Sequence, residues 1–493
     1  MNDILDVSLA PGQARPCPPD ASPGRRGRMR SSLALLDDDG RPGPGPARVR
    51  GSPAELHACA LERAGRARVQ GMLALGLAGL CAFLNVFATQ PLLPLLGSVL
   101  GVSKAAAALT VSAPAIAVAL AAPFAGLLAD RLGHRRVMVG ALFLLALPTL
   151  LAATAGGVGA LVAWRFAQGL AVAGVYAVGI AYAGTAWSGG DVGRAAAALV
   201  TGNVLGGFLG RTVSGLVAEH AGWRASFVVL ALLTAAGAEL TRRWLPAGTT
   251  PAAPALEGLA ALRALPGQLR DARLASTFAA GFDVLFGQVA VFTYVTFHLA
   301  GAPFHLGTAA LSGIFAVYLA GAAVTPVAGA WIGRIGARRT LALALATAAG
   351  GCALALVPRV PAVIAGLALC ASAAFVAQAA AASHLNQVAP ARLRSVASGA
   401  YLSCYYLGGA AGGILPAAAW ALGGWSACLA LVAGIHLATL AVAWRCWERE
   451  PASAGAGSRS PDRAGPPGAP RYSNIRPAYS SRARAKSGSS GAR

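Results

Sequence analysis

The segment Gly126-Leu-Leu-Ala-Asp-Arg-Leu-Gly-His-Arg-Arg136 returns 203 residues later as Gly329-Ala-Trp-Ile-Gly-Arg-Ile-Gly-Ala-Arg-Arg339. Both copies carry G-x-x-x-x-R-[LI]-G-x-R-R, and each lies between two long apolar runs. Glycines suit a tight turn, and arginines keep that turn in water between two apolar segments. The same basic turn at the same place in two apolar halves implies a duplicated membrane domain. Two further landmarks share nearly the same offset: Arg194 with Arg394, and Gly222-Trp223 with Gly424-Trp425.

Composition agrees. Apolar residues make up 56% of the chain and charged residues 12%, with a mean hydropathy of +0.60. A soluble domain carries about 25% charged residues. The formal charge of +22 would suit a nucleic-acid binder, but the arginines lie in the tails and in the turns between apolar runs, so no nucleic-acid partner is expected. Of the eight cysteines, Cys81, Cys352, Cys370, Cys404 and Cys428 lie in apolar runs and Cys17 and Cys59 near the N-terminus. Cysteine in an apolar run behaves as a small hydrophobe, and the spacings make no metal or disulfide pattern. The Ala-, Gly- and Arg-rich usage points to a GC-rich bacterial gene.

Twelve apolar segments are each long enough to cross a bilayer as a helix. They cover 72–96, 105–129, 136–155, 158–184, 194–218 and 223–244, then 273–298, 306–331, 338–357, 360–386, 394–420 and 423–445. The predicted organisation is a disordered tail over 1–69, a six-helix bundle over 70–244, a connector over 245–272, a second six-helix bundle over 273–446, and a disordered basic tail over 447–493. No signal peptide is visible. Even-numbered spans are followed by basic loops, which places the connector and both termini in the cytoplasm.

At these residues the chain resembles the major facilitator superfamily, over about residues 72–445. Gly126-x-Leu-Ala-Asp130-Arg131-x-Gly133-x-Arg135 is similar to that superfamily's signature loop between spans two and three, with His134 where Arg or Lys is usual and Gly333 where the second copy would repeat Asp130. Arg165-Phe-Ala-Gln168-Gly169 resembles the R-x-x-Q-G motif of its drug-efflux branch. Asn85-Val-Phe-Ala-Thr-Gln90-Pro-Leu-Leu-Pro94 and Thr296-Phe297…Pro303-Phe304-His305-Leu are most similar to the YnfM-type group of bacterial inner-membrane efflux proteins. The resemblance implies an all-α integral membrane fold, with twelve transmembrane helices in two pseudo-symmetric six-helix bundles that alternate access to a central cavity. It implies a gating role for Gly126, Asp130, Arg131, Gly133, Arg135 and Arg136, and for Arg334, Gly336 and Arg338 in the second copy. The plainer reading of both loops is a turn whose charges only fix topology.

Charges inside apolar spans are the other candidates. A charge in hydrocarbon costs about 2.5–3.5 kcal/mol or more, so it must face a partner, water or the bundle interior. Arg165 and Arg211 are each either a coupling or anion-contact residue or a structural arginine bonded to backbone carbonyls. Asp283 is the acidic residue deepest in a C-terminal-half span, and either takes up and releases a proton or permanently neutralises an arginine. Gln168 accompanies Arg165. Asn85, Gln90, Gln288, Tyr294, Gln378, His384 and Asn386 are candidate cavity residues, each also explicable as an interhelical hydrogen bond. The glycine stripe from Gly202 to Gly215 reads as close helix packing.

No catalytic triad, P-loop, metal cluster or dinucleotide fingerprint is present, so neither an enzyme nor a primary pump is expected. The reading is a multi-pass transporter of the bacterial inner membrane, a monomer in the lipid bilayer. It exports a small-molecule substrate with no cofactor beyond a proton gradient. The alternatives are an importer of an organic anion held by Arg165 and Arg211, and a non-transporting membrane sensor or scaffold.

Overall fold

The computed structural model describes residues 53–246, 270–390 and 394–447, and every regular element among them is helical. In chain order the α-helices are α1 (Pro53–Val86), α2 (Leu93–Leu100), α3 (Lys104–Leu132), α4 (His134–Ala152), α5 (Val158–Ala186), α6 (Gly190–Trp244), α7 (Ala272–Ala300), α8 (Thr308–Ile314), α9 (Val317–Leu354), α10 (Val360–Val388), α11 (Arg394–Ile414) and α12 (Pro416–Cys446). Eight helical segments among the described residues are long and apolar enough to cross a membrane. The twelve spans emerge once the folded helices are divided. The 55 residues of α6 would reach about 83 Å if straight, far beyond a hydrocarbon core of about 30 Å. Gly222, at φ 79°, breaks α6 into spans five and six. Gly336 (φ 82°) divides α9 between spans eight and nine, and Gly424 (φ 62°) divides α12 between spans eleven and twelve. Positive φ is a conformation that glycine adopts without steric cost.

The duplication is written into this backbone. Gly133 (φ 92°) and Gly336 hold matching places in the repeated turn, and Gly222 and Gly424 form a second matched pair. Packing repeats as well. A Cβ on Gly202, Gly206 or Gly210 of α6 would strike the carbonyl oxygens of Gly76, Leu80 and Leu84 on α1. A Cβ on Gly408 or Gly412 of α11 would strike those of Phe282 and Phe286 on α7. Bare backbone on one helix therefore seats against backbone on the next in both halves, which dispersion alone can hold in lipid.

The halves meet where α3 lies against α11 and α6 against α8. At the end remote from the basic turns, Glu219 accepts from the Ala309 N–H at 3.1 Å, and Lys104 lies 4.4 Å over the Trp420 ring. There too a Cβ on Gly413 would strike Ser112, and one on Gly215 would strike Ser312. Nearer the middle, Ser403 donates to the Ala119 carbonyl at 2.9 Å. Toward the basic turns, a Cβ at Gly126 of α3 or Gly399 of α11 would meet nothing within 4 Å. Gln90 and Thr293, separated by the same 203 residues as the repeated turns, bond to each other at 3.2 Å. Equivalent positions touch only where they lie beside the pseudo-twofold axis.

Three expectations are corrected. The segment predicted as a tail over 1–69 is helical from Pro53, because its Ala, Leu, Glu and Arg residues are strong helix formers. Residues 1–52 lie outside the described residues, as do 247–269 of the predicted connector. Span one does not run unbroken from 72 to 96. α1 stops at Val86, and a 3₁₀ turn at Gln90–Leu92 precedes α2, because Pro91 lacks the N–H that would continue the ladder. Trp447, predicted to open the second tail, is 1% exposed. Its ring stacks 3.8 Å from His384 and its Nε1 donates to Ser276 at 3.2 Å. The rest of that predicted tail, 448–493, lies outside the described residues.

Candidate functional site

The interruption of span one organises the N-terminal half. Ending α1 at Val86 leaves backbone carbonyls without helical donors inside an apolar bundle, and each must find a partner. Arg165 of α5 supplies it. Its Nη1 donates to the Asn85 carbonyl at 2.6 Å, its Nη2 to the Val86 carbonyl and its Nε to the Thr110 carbonyl at 2.9 Å. Nη1 also reaches Gln168 Oε1 at 2.5 Å. Every guanidinium nitrogen is engaged and the residue is fully buried. Gln168 Nε2 in turn donates to Thr149 at 2.8 Å. Thr149 donates to Asn85 Oδ1 at 3.1 Å, and Asn85 Nδ2 to Thr234 at 2.9 Å. One polar network thus ties spans one, two, three, four and six. Arg165, Gln168 and Asn85 lie in that network and outside the cavity wall.

Arg211 of α6 approaches the same break from the other side. Its Nε donates to Gln90 Oε1 at 2.7 Å and its Nη1 to the Gly207 carbonyl at 2.6 Å. The guanidinium lies over three rings, 4.6 Å from Tyr318, 4.9 Å from Phe87 and 5.0 Å from Phe315. Unlike Arg165, it lines a cavity between the halves that encloses about 740 Å³, part of it open to solvent. The wall is aromatic, with Phe83, Phe87, Tyr176, Phe375, Tyr405 and Tyr406, and its polar groups include Asn203, Gln288 and Gln378. Of the seven uncharged polar residues expected to line the cavity, Gln288 and Gln378 do. Gln90 is engaged by Arg211, Tyr294 donates to the Gly413 carbonyl at 3.0 Å, and His384 is stacked on Trp447.

The cavity tyrosines were missed in the sequence reading. Four of the chain's nine tyrosines, 176, 318, 405 and 406, line this one space. The Tyr405-Tyr406 pair inside an Ala/Gly-rich span was the available signal.

Asp283 of α7 is fully buried. Its Oδ1 is 2.9 Å from His436 Nδ1 of α12, and its Oδ2 has no hydrogen-bond partner among the described residues. The expectation of an arginine counter-ion is therefore corrected: the partner is a histidine, 153 residues away in sequence. Gln288, five residues along α7, faces two spaces. It lines the central cavity and also a small apolar cavity against His436, Cys370 and Leu345. Its side chain shares the cavity wall with Tyr318. A line of neighbouring side chains thus runs from Arg211 through Tyr318 and Gln288 to the Asp283–His436 pair.

At the repeated turns, Arg135 donates to the carbonyls of Leu245 (2.8 Å) and Arg242 (2.6 Å), closing the last turn of span six. Its counterpart Arg338 lies 4.0 Å over the Trp444 ring at the end of span twelve. Each basic turn therefore grips the final helix of its own half, through carbonyls in one case and a ring face in the other. Asp130 has His134 as its ionic neighbour, at 3.7 Å. Arg131, Arg136 and Arg334 are exposed.

Two pseudo-equivalent helical halves around one central cavity make the architecture of a secondary transporter. The family model for the Major Facilitator Superfamily matches residues 75–321 and 304–482, and the chain belongs to that superfamily. It is 28% identical over 377 residues to the inner membrane transport protein YnfM of Escherichia coli K12, covering 76% of this chain and 90% of the relative. It is also 28% identical over 365 residues to an uncharacterized transporter of Buchnera aphidicola subsp. Baizongia pistaciae, covering 74% of this chain and 90% of the relative. Among solved structures it superposes on a mutant of the nucleoside transporter NupG with a TM-score of 0.65 at 16% identity, over 78% of this chain and all of that one. The human organic anion transporter MFSD10 matches with a TM-score of 0.57 at 22% identity, over 76% of this chain and 99% of that one.

Proposed function

We propose that this multi-pass protein is a proton-coupled exporter of a small organic molecule in the bacterial inner membrane, with both termini cytoplasmic. Transport proceeds by alternating access, the two bundles rocking about the cavity that holds Arg211. The orientation is supported by the basic turns at 131–136 and 334–339, which belong on the cytoplasmic side. With the contacts between halves gathered at the opposite end, the arrangement corresponds to a state closed to the outside.

The observation that carries proton coupling is the Asp283–His436 pair. An ionisable pair buried inside a bundle is expensive and marks proton relays and ion pathways. Asp283 Oδ2 has no partner among the described residues, so a proton can be seated there without displacing an existing contact. Gln288 stands between this pair and the central cavity, and gives substrate occupancy a short route to influence it. Efflux is the direction suggested by the R-x-x-Q-G motif at Arg165.

The test is Asp283→Asn in proteoliposomes, followed with a trapped pH-sensitive dye and by solute exchange without a gradient. The variant should lose solute-driven proton movement and keep exchange. Proton movement equal to wild type between about pH 6 and pH 8 would remove the pair from the coupling mechanism.

A further inference from the structure

We infer that the central cavity takes small organic monoanions, a carboxylate on an aromatic or apolar body, with the carboxylate on the open edge of the Arg211 guanidinium. This rests on the transport reading and names the substrate class.

The two intramembrane arginines make the comparison. Arg165 has all three nitrogens engaged by carbonyl and amide oxygens and does not line the central cavity. Arg211 has Nε and Nη1 engaged, while Nη2 has no protein partner among the described residues. Its surroundings are ring faces and neutral dipoles, and no carboxylate pairs with it among the described residues. Aromatic faces attract a cation, contributing about 2 kcal/mol when it is desolvated, but they leave the charge in place. A planar guanidinium with one free edge is suited to a carboxylate oxygen.

The rest of the wall narrows the class. No Asp or Glu is among the lining residues and Arg211 is their one cation, so an ammonium ligand would meet uncompensated positive charge and a dianion would be left half neutralised. The remaining polar groups are amides and phenols, which bind neutral or negative oxygens. Phe83, Phe87, Tyr176 and Phe375 offer flat apolar surface for the body of the ligand. The energetics fit export. Moving one negative charge outward across an inside-negative potential releases about 2.3 kcal/mol per 100 mV.

Isothermal titration of the purified full-length protein with three probes of one shape tests this: 2-naphthoate, 2-naphthamide and 2-naphthylmethylammonium. Naphthoate should bind wild type at least about tenfold more tightly than either of the others. Arg211→Gln should lose that preference, Arg211→Lys should retain part of it, and Phe87→Leu should weaken naphthoate while keeping the charge preference. Equal or tighter binding of the amide or the cation to wild type, absent naphthoate binding, or undiminished naphthoate binding by a folded Arg211→Gln protein would each overturn the inference. If Arg211→Gln does not fold, the wild-type ranking and the Lys variant decide it. Asp283→Asn separates the two readings. Retained naphthoate preference in a protein without proton-driven flux supports the substrate class, and proton-driven flux without the preference supports transport of another class.

Discussion

Replacing Arg165 tests whether an intramembrane arginine is there for chemistry or for architecture. In Arg165→Leu the carbonyls of Asn85, Val86 and Thr110 lose their guanidinium donors. Asn85 and Thr110 keep weaker donors in the Ala88 N–H and the Thr89 hydroxyl, so the acceptors left unpaired are the Val86 carbonyl and Gln168 Oε1. At about 1–3 kcal/mol each they cost about 4 kcal/mol together at mid-range. Removing the buried charge returns about 3 kcal/mol, leaving a net destabilisation of about 1 kcal/mol. Arg165→Lys keeps the charge, but a point-like ammonium cannot reach carbonyls on spans one and two together while also holding Gln168. The conservative change should therefore destabilise at least as much as the apolar one. The assay is the apparent melting midpoint and monodisperse fraction in detergent, compared at one heating rate because such unfolding is irreversible. The expected order is wild type above Leu, with Lys at or below Leu. A Leu variant that melts with wild type but has lost transport would refute the architectural reading and return Arg165 to the mechanism.

Further outcomes are expected elsewhere. Gly210→Val places side-chain carbons against the Leu84 carbonyl and should cost about 1–3 kcal/mol by overpacking, whereas Gly184→Val, with nothing within 4 Å, should leave the melting midpoint unchanged; equal effects would contradict the close α1–α6 seating. Trp447→Ala should cost about 3–5 kcal/mol, while truncation after Trp447 should leave insertion and transport intact; thermal melts and proteoliposome flux check both. Asp130→Asn should slow transport with little change in melting, since its neighbour is a single histidine at 3.7 Å and a surface group acts on a conformational equilibrium more than on packing. Wild-type turnover at matched protein levels would count against a gating role for that loop.

Twelve spans and their duplication were legible in the chain because each depends on local chemistry. A run of apolar side chains must leave water wherever it lies, and a Gly-Arg turn must stay in it. The positive-φ glycines at 133, 222 and 336 lie in the predicted turns, and Gly424 lies one residue inside the predicted twelfth span. The site was legible only as a set of residue types. A charge within an apolar run announces that it has a partner without saying which, and the partners here come from distant segments. Tertiary structure alone decided that Arg165 closes the break in span one, that Asp283 faces His436 across 153 residues, and that Arg211 keeps a free edge among rings drawn from both halves. Hydropathy and turn propensity act over one helix length, whereas burial of a charge is settled by whichever helices pack around it.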